Sequence, residues 1–190
     1  MAQLMKKWTV VTLLLTVLLT LAAGLYPHTL LVALAITVGT VAYHFSMRLA
    51  VGPVLPRISG HWRDWHYRWY QPLPFEARLY QRLRVKQWKK YMPTYAPGEF
   101  NPKQHSTAEL LAASCQAEVV HEVIMVLSFL PLAVIPVWGA APVFFFTSLA
   151  AALLDGCFVI IQRFNRPRLE RLLAHQQTRT LREAVVPSCS

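Results

Sequence analysis

Cysteine is scarce in this chain, and its scarcity argues against disulfide-rich proteins and against cysteine-based zinc or redox sites. Three are present, Cys115, Cys157 and Cys189. The number is odd, the spacing matches no zinc or redox motif, and two of the three lie in apolar segments. This pattern argues against a disulfide framework.

Acidic residues are also few, with 9 Asp and Glu against 19 Lys and Arg, which gives a net charge of +10. Such an excess raises the question of nucleic acid. The basic residues, however, lie between apolar segments, where the positive-inside rule places them, so we predict no nucleic-acid partner. The chain is 55% hydrophobic over 190 residues. These values favour a single membrane domain, residues 1–190.

Four apolar segments are long enough to cross a bilayer. They cover about residues 8–25, 29–49, 110–137 and 142–162. Each reaches the roughly 20 residues that a membrane-spanning helix needs. Apolar spans of this kind form helices, because backbone N–H and C=O groups in the hydrocarbon layer must hydrogen-bond to one another. We predict an all-α, integral membrane four-helix bundle. The first segment follows Lys6 and Lys7, so a signal peptide is the alternative to a retained helix.

The positive charges set an expected orientation. None of the 19 Lys and Arg lies in the turns at residues 26–28 and 138–141; all lie near the N-terminus, at the end of span two, in segment 54–109 or in tail 163–190. This asymmetry places both termini and the central segment in the cytoplasm. We expect a multi-pass protein of a bacterial inner membrane.

The central segment 54–109 has aromatic residues interleaved with basic ones. Trp62, Trp65 and Trp69 recur at helical spacing, and such faces lie in the headgroup layer. We predict amphipathic interfacial helices at about Gly60–Tyr70 and Pro74–Tyr91. Simple membrane anchoring explains most of these aromatics equally well.

The third span begins with a polar group that could carry chemistry. Glu118, His121 and Glu122 are spaced to share one helical face. A carboxylate beside a histidine can orient the ring and make it a general base. A di-iron site needs a second Glu-x-x-His motif, which the chain lacks, so we predict no metal. The alternative is that the two glutamates merely begin the helix.

Two other spans carry polar residues at a similar level. Glu118 lies about 12 Å past Leu110, and Asp155 lies at a comparable depth before Arg163. His44 lies one turn before Arg48. Ionisable residues inside a membrane are functional candidates, so we predict Asp155 as catalytic with Glu118 and His121, and His44 at the substrate. For His44 alone, an interface histidine is the competing interpretation.

The fourth span ends in a group of polar residues around Pro167. Four of them are predicted to bind substrate: Arg163, Asn165, Arg166 and Arg168. Pro167 should stop or bend the helix, and arginine suits bidentate capture of phosphate or carboxylate. The partner of these arginines could be a nucleotide phosphate, a lipid phosphate or the intramembrane carboxylates. Ordinary positive-inside anchoring is the alternative.

Three blocks of the sequence resemble the glycosyl-4,4'-diaponeurosporenoate acyltransferase family. Leu79 to Lys89 is similar to the family's Tyr-x-x-Leu-x-(Val/Ile)-Lys-x-Trp-Lys pattern. Ala117 to His121 is similar to its Ala-Glu-x-x-His, and Ile160 to Leu169 to its Gln-Arg-Tyr-Asn-Arg-Pro-Arg-Leu. The chain departs from the family with Asp155 in place of Asn, with Phe164 in place of Tyr, and with Lys90 in place of an acidic residue.

The resemblance implies transfer of a fatty acyl group to a hydroxyl of a sugar-bearing membrane lipid. We predict that His121, oriented by Glu118, deprotonates the acceptor, and that Lys86 and the arginines bind phosphates of the donor. Trp88 and Tyr80 complete the predicted substrate site. The expected partners are membrane lipid, acyl-CoA or an acyl carrier thioester as co-substrate, and a lipid-linked acceptor, with no bound cofactor.

Two rival functions stay open at this point. One is another membrane group-transfer or redox enzyme, of the isoprenylcysteine methyltransferase or steroid reductase type. The other is a non-catalytic lipid-binding or assembly protein. A covalent route through Cys115, three residues before Glu118, is also open. The sequence does not indicate an oligomeric state.

Overall fold

The computed structural model describes residues 2–58, 60–93 and 97–185, and all regular structure within them is helical. Residues 94–96 of the central segment and residues 186–190 of the tail, with Cys189 among them, lie outside these ranges. The described α-helices are α1 (Ala2–Leu25), α2 (Thr29–Ile58), α3 (Glu76–Arg82), α4 (Val85–Trp88), α5 (Thr107–Leu127), α6 (Ile135–Trp138) and α7 (Ala141–Val185).

Four helical stretches are long and apolar enough to cross a membrane. They are Gln3–Leu25, Thr29–Ile58, Thr107–Trp138 and Ala141–Glu183. The prediction of an all-α membrane protein with four spans is therefore confirmed. The third stretch is less regular than the others, since α5 gives way to a 3₁₀ turn, Leu130–Val134, before α6. Pro131 and Pro136 lie in this part, and each lacks the N–H that a continuous helix needs.

The fourth helix extends far beyond its predicted end at residue 162. Pro167 lies inside α7, which continues to Val185. Of the two predicted effects of Pro167, the stop is wrong, and the bend stays a prediction. A proline removes only one N–H from the helical ladder, and the long helical stretches on either side of it retain theirs.

The segment between α2 and α5 is helical only in short pieces. It contains 3₁₀ turns at Gly60–Arg63, Arg68–Tyr70, Lys89–Tyr91 and Pro97–Phe100 beside α3 and α4. The two long interfacial helices predicted here are wrong as continuous elements. Arg84 has a left-handed backbone, with φ 51°, which separates α3 from α4. Left-handed residues end α-helices. The aromatic face predicted for residues 60–70 is divided between the turns Gly60–Arg63 and Arg68–Tyr70.

The helices pack as two pairs that meet along α2. α1 lies against α2, α5 lies against α7, and α2 contacts both members of the second pair. The helix α5 begins with a capping box, in which the Ser106 amide donates to Glu109 and the Glu109 amide donates back to Ser106. The connecting segment folds back over one end of α5 and α7, and this arrangement positions the site.

Candidate active site

Two buried carboxylates mark the place where α5 faces α7. Glu118 on α5 is 0% exposed and Asp155 on α7 is 2% exposed. Burying a carboxylate is costly unless it is paired and hydrogen-bonded. The partners of these two groups therefore define the site.

Glu118 is paired with two arginines of α7. Arg163 Nη1 donates to its Oε1 at 2.7 Å, and Arg166 Nη2 donates to its Oε2. Arg166 itself is only 2% exposed. Charge-assisted bonds of this kind are the strongest hydrogen bonds in proteins, so the three side chains form one fixed unit.

The same arginines hold the connecting segment in place. Arg163 Nε donates to Glu76 Oε1 at 2.7 Å, and its Nη1 and Nη2 donate to the carbonyls of Trp69 and Gln71 at 3.0 and 3.2 Å. The planar guanidinium suits this fork of acceptors, which a lysine could not satisfy. Arg163 thus joins α3, the turn after Trp69 and α5.

Arg166 makes a second tie to the same segment. Its Nη1 donates to the Tyr70 carbonyl at 3.0 Å, and its guanidinium lies 4.7 Å from the centroid of the Tyr70 ring. The Tyr70 hydroxyl donates to the carbonyl of Trp62 at 2.7 Å. Burial raises the pKa of Tyr70, so its hydroxyl stays protonated and remains a donor.

The second carboxylate, Asp155, is shared between a histidine and an arginine. His121 Nδ1 lies 2.9 Å from Asp155 Oδ1, and Arg48 of α2 donates to Oδ2. Arg48 also donates to the carbonyls of Ala151 and His44, both at 3.1 Å. The His121 ring stacks on Phe158 with centroids 4.6 Å apart. The carboxylate and the aromatic ring fix the orientation of the imidazole.

His121 is therefore oriented by Asp155, and the prediction that Glu118 orients it is wrong. Glu118 and His121 lie one turn apart on the face of α5 that meets α7. Side chains in that position point across to the neighbouring helix, where Asp155 lies about two turns before Arg163 and about three turns before Arg166. The carboxylate-to-imidazole contact predicted for the site exists, but it joins two different helices.

A group of cations lies beyond these pairs, on the side of α4. Lys89 Nζ donates to Asn165 Oδ1 at 2.7 Å and lies 4.6 Å from the centroid of the Phe164 ring. Burial, and then the charges of Arg168 and Lys86, lower the pKa of Lys89. Lys86 and Arg168 are exposed. Of the predicted residues, Asn165, Arg168 and Lys86 are thus brought together around a lysine that sequence reasoning missed.

The remaining predicted residues are Trp88, Tyr80 and His44. Trp88 Nε1 donates to the Leu83 carbonyl at 2.9 Å, within its own turn. Tyr80 packs edge-on against Phe164 with centroids 5.8 Å apart, and burial raises its pKa. His44 is buried, and within the described residues neither of its ring nitrogens has a hydrogen-bond partner. A substrate role for these three stays a prediction.

Residues 66–175 match the glycosyl-4,4'-diaponeurosporenoate acyltransferase (CrtO) family. The chain belongs to this family. No curated protein and no solved structure matches the chain. The family's activity and the four span-length helices together indicate a membrane acyltransferase.

The part matched to the acyltransferase family contains nearly all of the site. It covers α3, α4, α5 and the arginine-rich part of α7. Arg48 and His44 lie in α2, outside the matched residues. The tie from Arg48 to Asp155 is therefore contributed by a part of the acyltransferase that the family match does not include.

Three residues of the site were not predicted from the sequence: Arg48, Glu76 and Lys89. Arg48 is the one cation within the second apolar span, and Glu76 is an acidic residue inside a strongly basic segment. Both could have been predicted from the sequence, because an isolated charge in such surroundings needs a partner of opposite charge. Lys89 carried no signal that separates it from Lys86 and Lys90. Within the described ranges, no group of three His, Cys, Asp or Glu side chains is placed to hold a metal ion.

Proposed function

We propose that the protein transfers a fatty acyl group from an acyl thioester to a hydroxyl or amine of a glycolipid or another small membrane acceptor. The observation that carries the proposal is the His121–Asp155 pair. The carboxylate is 2% exposed, whereas the imidazole is 24% exposed. A base that solvent or substrate can reach, held by a shielded carboxylate, is the arrangement that general base catalysis requires.

The tautomer of His121 follows from its partner. An ionised carboxylate can only accept hydrogen bonds, so Nδ1 carries the proton that faces Asp155. The lone pair is then on Nε2, which among the described residues has no hydrogen-bond partner. Arg48 balances the charge of Asp155 while His121 is neutral. Asp155 therefore orients the ring and stabilises the imidazolium.

The proposed reaction needs one proton transfer in each direction. Nε2 of His121 takes the proton from the acceptor hydroxyl as its oxygen attacks the thioester carbonyl. The tetrahedral intermediate collapses, the carbon–sulfur bond breaks, and the thiolate leaves with the proton from His121. An ester and a free thiol result, and no acyl-enzyme is formed.

The cations divide into two groups in this proposal. Arg163 and Arg166 are engaged by Glu118, so their role is to hold the connecting segment over α5 and α7. Lys86, Lys89 and Arg168 carry positive charge toward the surface, and these bind the phosphates of the thioester carrier. Asn165, Trp88 and Tyr80 position the two substrates, and we place this site on the cytoplasmic side of a bacterial inner membrane.

The test is an assay of thiol release from long-chain acyl-CoA by the detergent-purified protein in the presence of membrane lipid. We expect His121→Ala to lower the rate by at least about 10²-fold, while His175→Ala, an exposed histidine of α7, keeps the full rate. Mass spectrometry of the extracted lipids then identifies the acylated acceptor. Thiol release that is independent of His121, or a co-purified methyl or hydride donor, contradicts the proposal and favours another group-transfer or redox enzyme. Full biological activity of a folded His121→Ala variant favours a non-catalytic role.

A further inference from the structure

An aromatic pocket lies between the connecting segment and α5, on residues that the proposed reaction does not use. Its volume is about 400 Å³, and it is lined by Trp62, Tyr67, Trp69, Tyr70, Val119 and Glu122. This volume is within the usual range for sites that bind small molecules. Four of the six lining residues are aromatic and one is a carboxylate.

The charge at this pocket is negative, although the chain as a whole carries +10. Glu122 is the one charged side chain among its lining residues. The two arginines that act on it electrostatically, Arg163 and Arg166, are also paired with Glu76 and Glu118. Among these five side chains, three carboxylates meet two guanidiniums, which is an excess of one carboxylate.

Glu122 is also held in a fixed position. Its Oε2 and Oε1 accept the indole N–H of Trp69 at 3.1 and 3.3 Å. An indole N–H uses only part of the accepting capacity of a carboxylate, which has about four lone-pair sites. Aromatic rings beside a carboxylate attract an ammonium group through ring faces and charge together. Aromatic rings beside a carboxylate offer no favourable contact to an anionic ligand such as a phosphate or a second carboxylate.

The pocket lies where the polar part of the third span, which the connecting segment covers, meets the apolar part. Glu122 is the last charged residue before the apolar run Val123 to Trp138. Trp69 and Tyr67 are 64% and 51% exposed, so the pocket is open to the surroundings. Amphipathic aromatic side chains at this level of a membrane protein lie among lipid headgroups.

We propose that this aromatic pocket binds the ammonium headgroup of a zwitterionic membrane lipid, such as an ethanolamine or choline phospholipid. The inference goes beyond acyl transfer and does not rest on it, because the pocket residues are separate from the His121–Asp155 pair. One ligand of this kind would account for the excess carboxylate of Glu122, for the Trp69 indole that is hydrogen-bonded to it, and for the exposed aromatic side chains of the pocket.

The test is native mass spectrometry of the full-length protein in detergent with phosphatidylethanolamine, phosphatidylglycerol or a neutral glycolipid, all with the same acyl chains. We expect phosphatidylethanolamine to bind most tightly. Glu122→Gln and Trp69→Ala should each weaken its binding by about tenfold. The matched controls, Glu183→Gln on the exposed end of α7 and Trp138→Ala at the end of α6, should leave it unchanged.

Competition by free ethanolamine or choline then separates the contribution of the headgroup from that of the acyl chains. Displacement of the lipid by either amine supports an ammonium site.

Equal binding of phosphatidylglycerol or the glycolipid overturns the inference, as does binding that neither pocket variant weakens. A failure of the acyl-transfer proposal is distinguishable, because the assay measures binding alone. We expect His121→Ala, which lies outside the pocket, to bind phosphatidylethanolamine as well as the unsubstituted protein does.

Discussion

Glu118 shows at the scale of single residues how the site is held together. Its two oxygens accept hydrogen bonds from Arg163 and Arg166, and these arginines reach the connecting segment. Removing one partner of a buried ion pair leaves the other charge uncompensated, which typically costs about 3–5 kcal/mol. We therefore expect Glu118→Gln to lower the free energy of unfolding by about that amount. Thermal unfolding of the purified protein in detergent measures the change.

The control for this prediction is an ion pair of similar chemistry in water. Arg179 and Glu183 are 74% and 63% exposed and lie one turn apart at the end of α7. Exposed pairs contribute about 0–1 kcal/mol, so Glu183→Gln should change the unfolding temperature little. If both variants lose the same stability, Glu118 does not hold the segment in the way described.

Lys89 gives the site a pH dependence that can be predicted in sign. Burial and the charges of Arg168 and Lys86 hold its pKa below the ordinary 10.5. The unfolded chain then binds the proton more tightly, so this group destabilises the fold at neutral pH and ceases to do so as the pH rises toward 10.5. The positive charge that we assign to phosphate binding is lost over the same pH range.

We accordingly expect the KM for the acyl thioester to rise as the pH increases through the lowered pKa of Lys89, before pH 10.5 is reached. Lys89→Arg should remove this rise, because a guanidinium stays charged throughout. Lys90→Arg is the matched control, since Lys90 is exposed and lies over Tyr91. A rise in KM that persists in Lys89→Arg would show that another group is responsible.

At the scale of helices, the surroundings of two glycines indicate how tightly α1 packs against α2 and α5 against α7. A Cβ on Gly39 of α2 would lie 3.2 Å from Thr16 Cγ2, and Thr16 is held in place by its hydroxyl, which donates to the Thr12 carbonyl at 2.7 Å. A Cβ on Gly156 of α7 would lie 3.6 Å from Met125 Sδ, an ordinary contact with a flexible side chain.

Gly156→Ala should therefore be neutral or stabilise the protein by up to about 1 kcal/mol, because alanine is the better helix former. Gly39→Ala should destabilise it, since overpacking costs about 1–3 kcal/mol and exceeds the gain in helix propensity. Unfolding of the two variants under identical detergent conditions compares them directly. Equal stabilisation by both would mean that α1 and α2 are not in close contact at Thr16.

The helices also show what the sequence can and cannot predict. Span length and composition are local properties, so α1, α2 and the apolar parts of α5 and α7 were predictable. The partners of Glu118 and His121 depend on how α5 and α7 are aligned with each other, and helical periodicity contains no such information. His121 therefore meets Asp155 in place of the expected Glu118. Arg163 and Arg166 meet the intramembrane carboxylate of Glu118, which is one of the partners that the sequence left open.

At the scale of the whole molecule, the connecting segment was the hardest part to predict. Its charges and aromatics suggested long helices at a membrane surface, whereas Arg84 and several prolines break it into turns. Glu76 and Lys89 then reach α7 at Arg163 and Asn165. Contacts between residues so distant in sequence cannot be read from composition, and for this reason both residues were missed.

The folded segment and the distribution of charge lead to a prediction about orientation. Glu76 and Lys89 lie against the part of α7 that follows its apolar stretch, so the segment and that end of the bundle share one side of the membrane. No Lys or Arg lies in the turns at residues 26–28 and 138–141. The positive-inside rule then places the segment in the cytoplasm and both turns outside.

Single cysteines test this orientation in a chain whose three native cysteines are replaced by serine. We expect a membrane-impermeant maleimide to label His28→Cys in intact spheroplasts, because that residue lies in the turn between α1 and α2. Lys103→Cys, in the connecting segment, should react only after lysis. Labelling of Lys103→Cys in intact cells would place the cation group and His121–Asp155 on the outer side. Acyl thioesters of the cytoplasm could not reach them there, so the same result would also contradict the proposed donor.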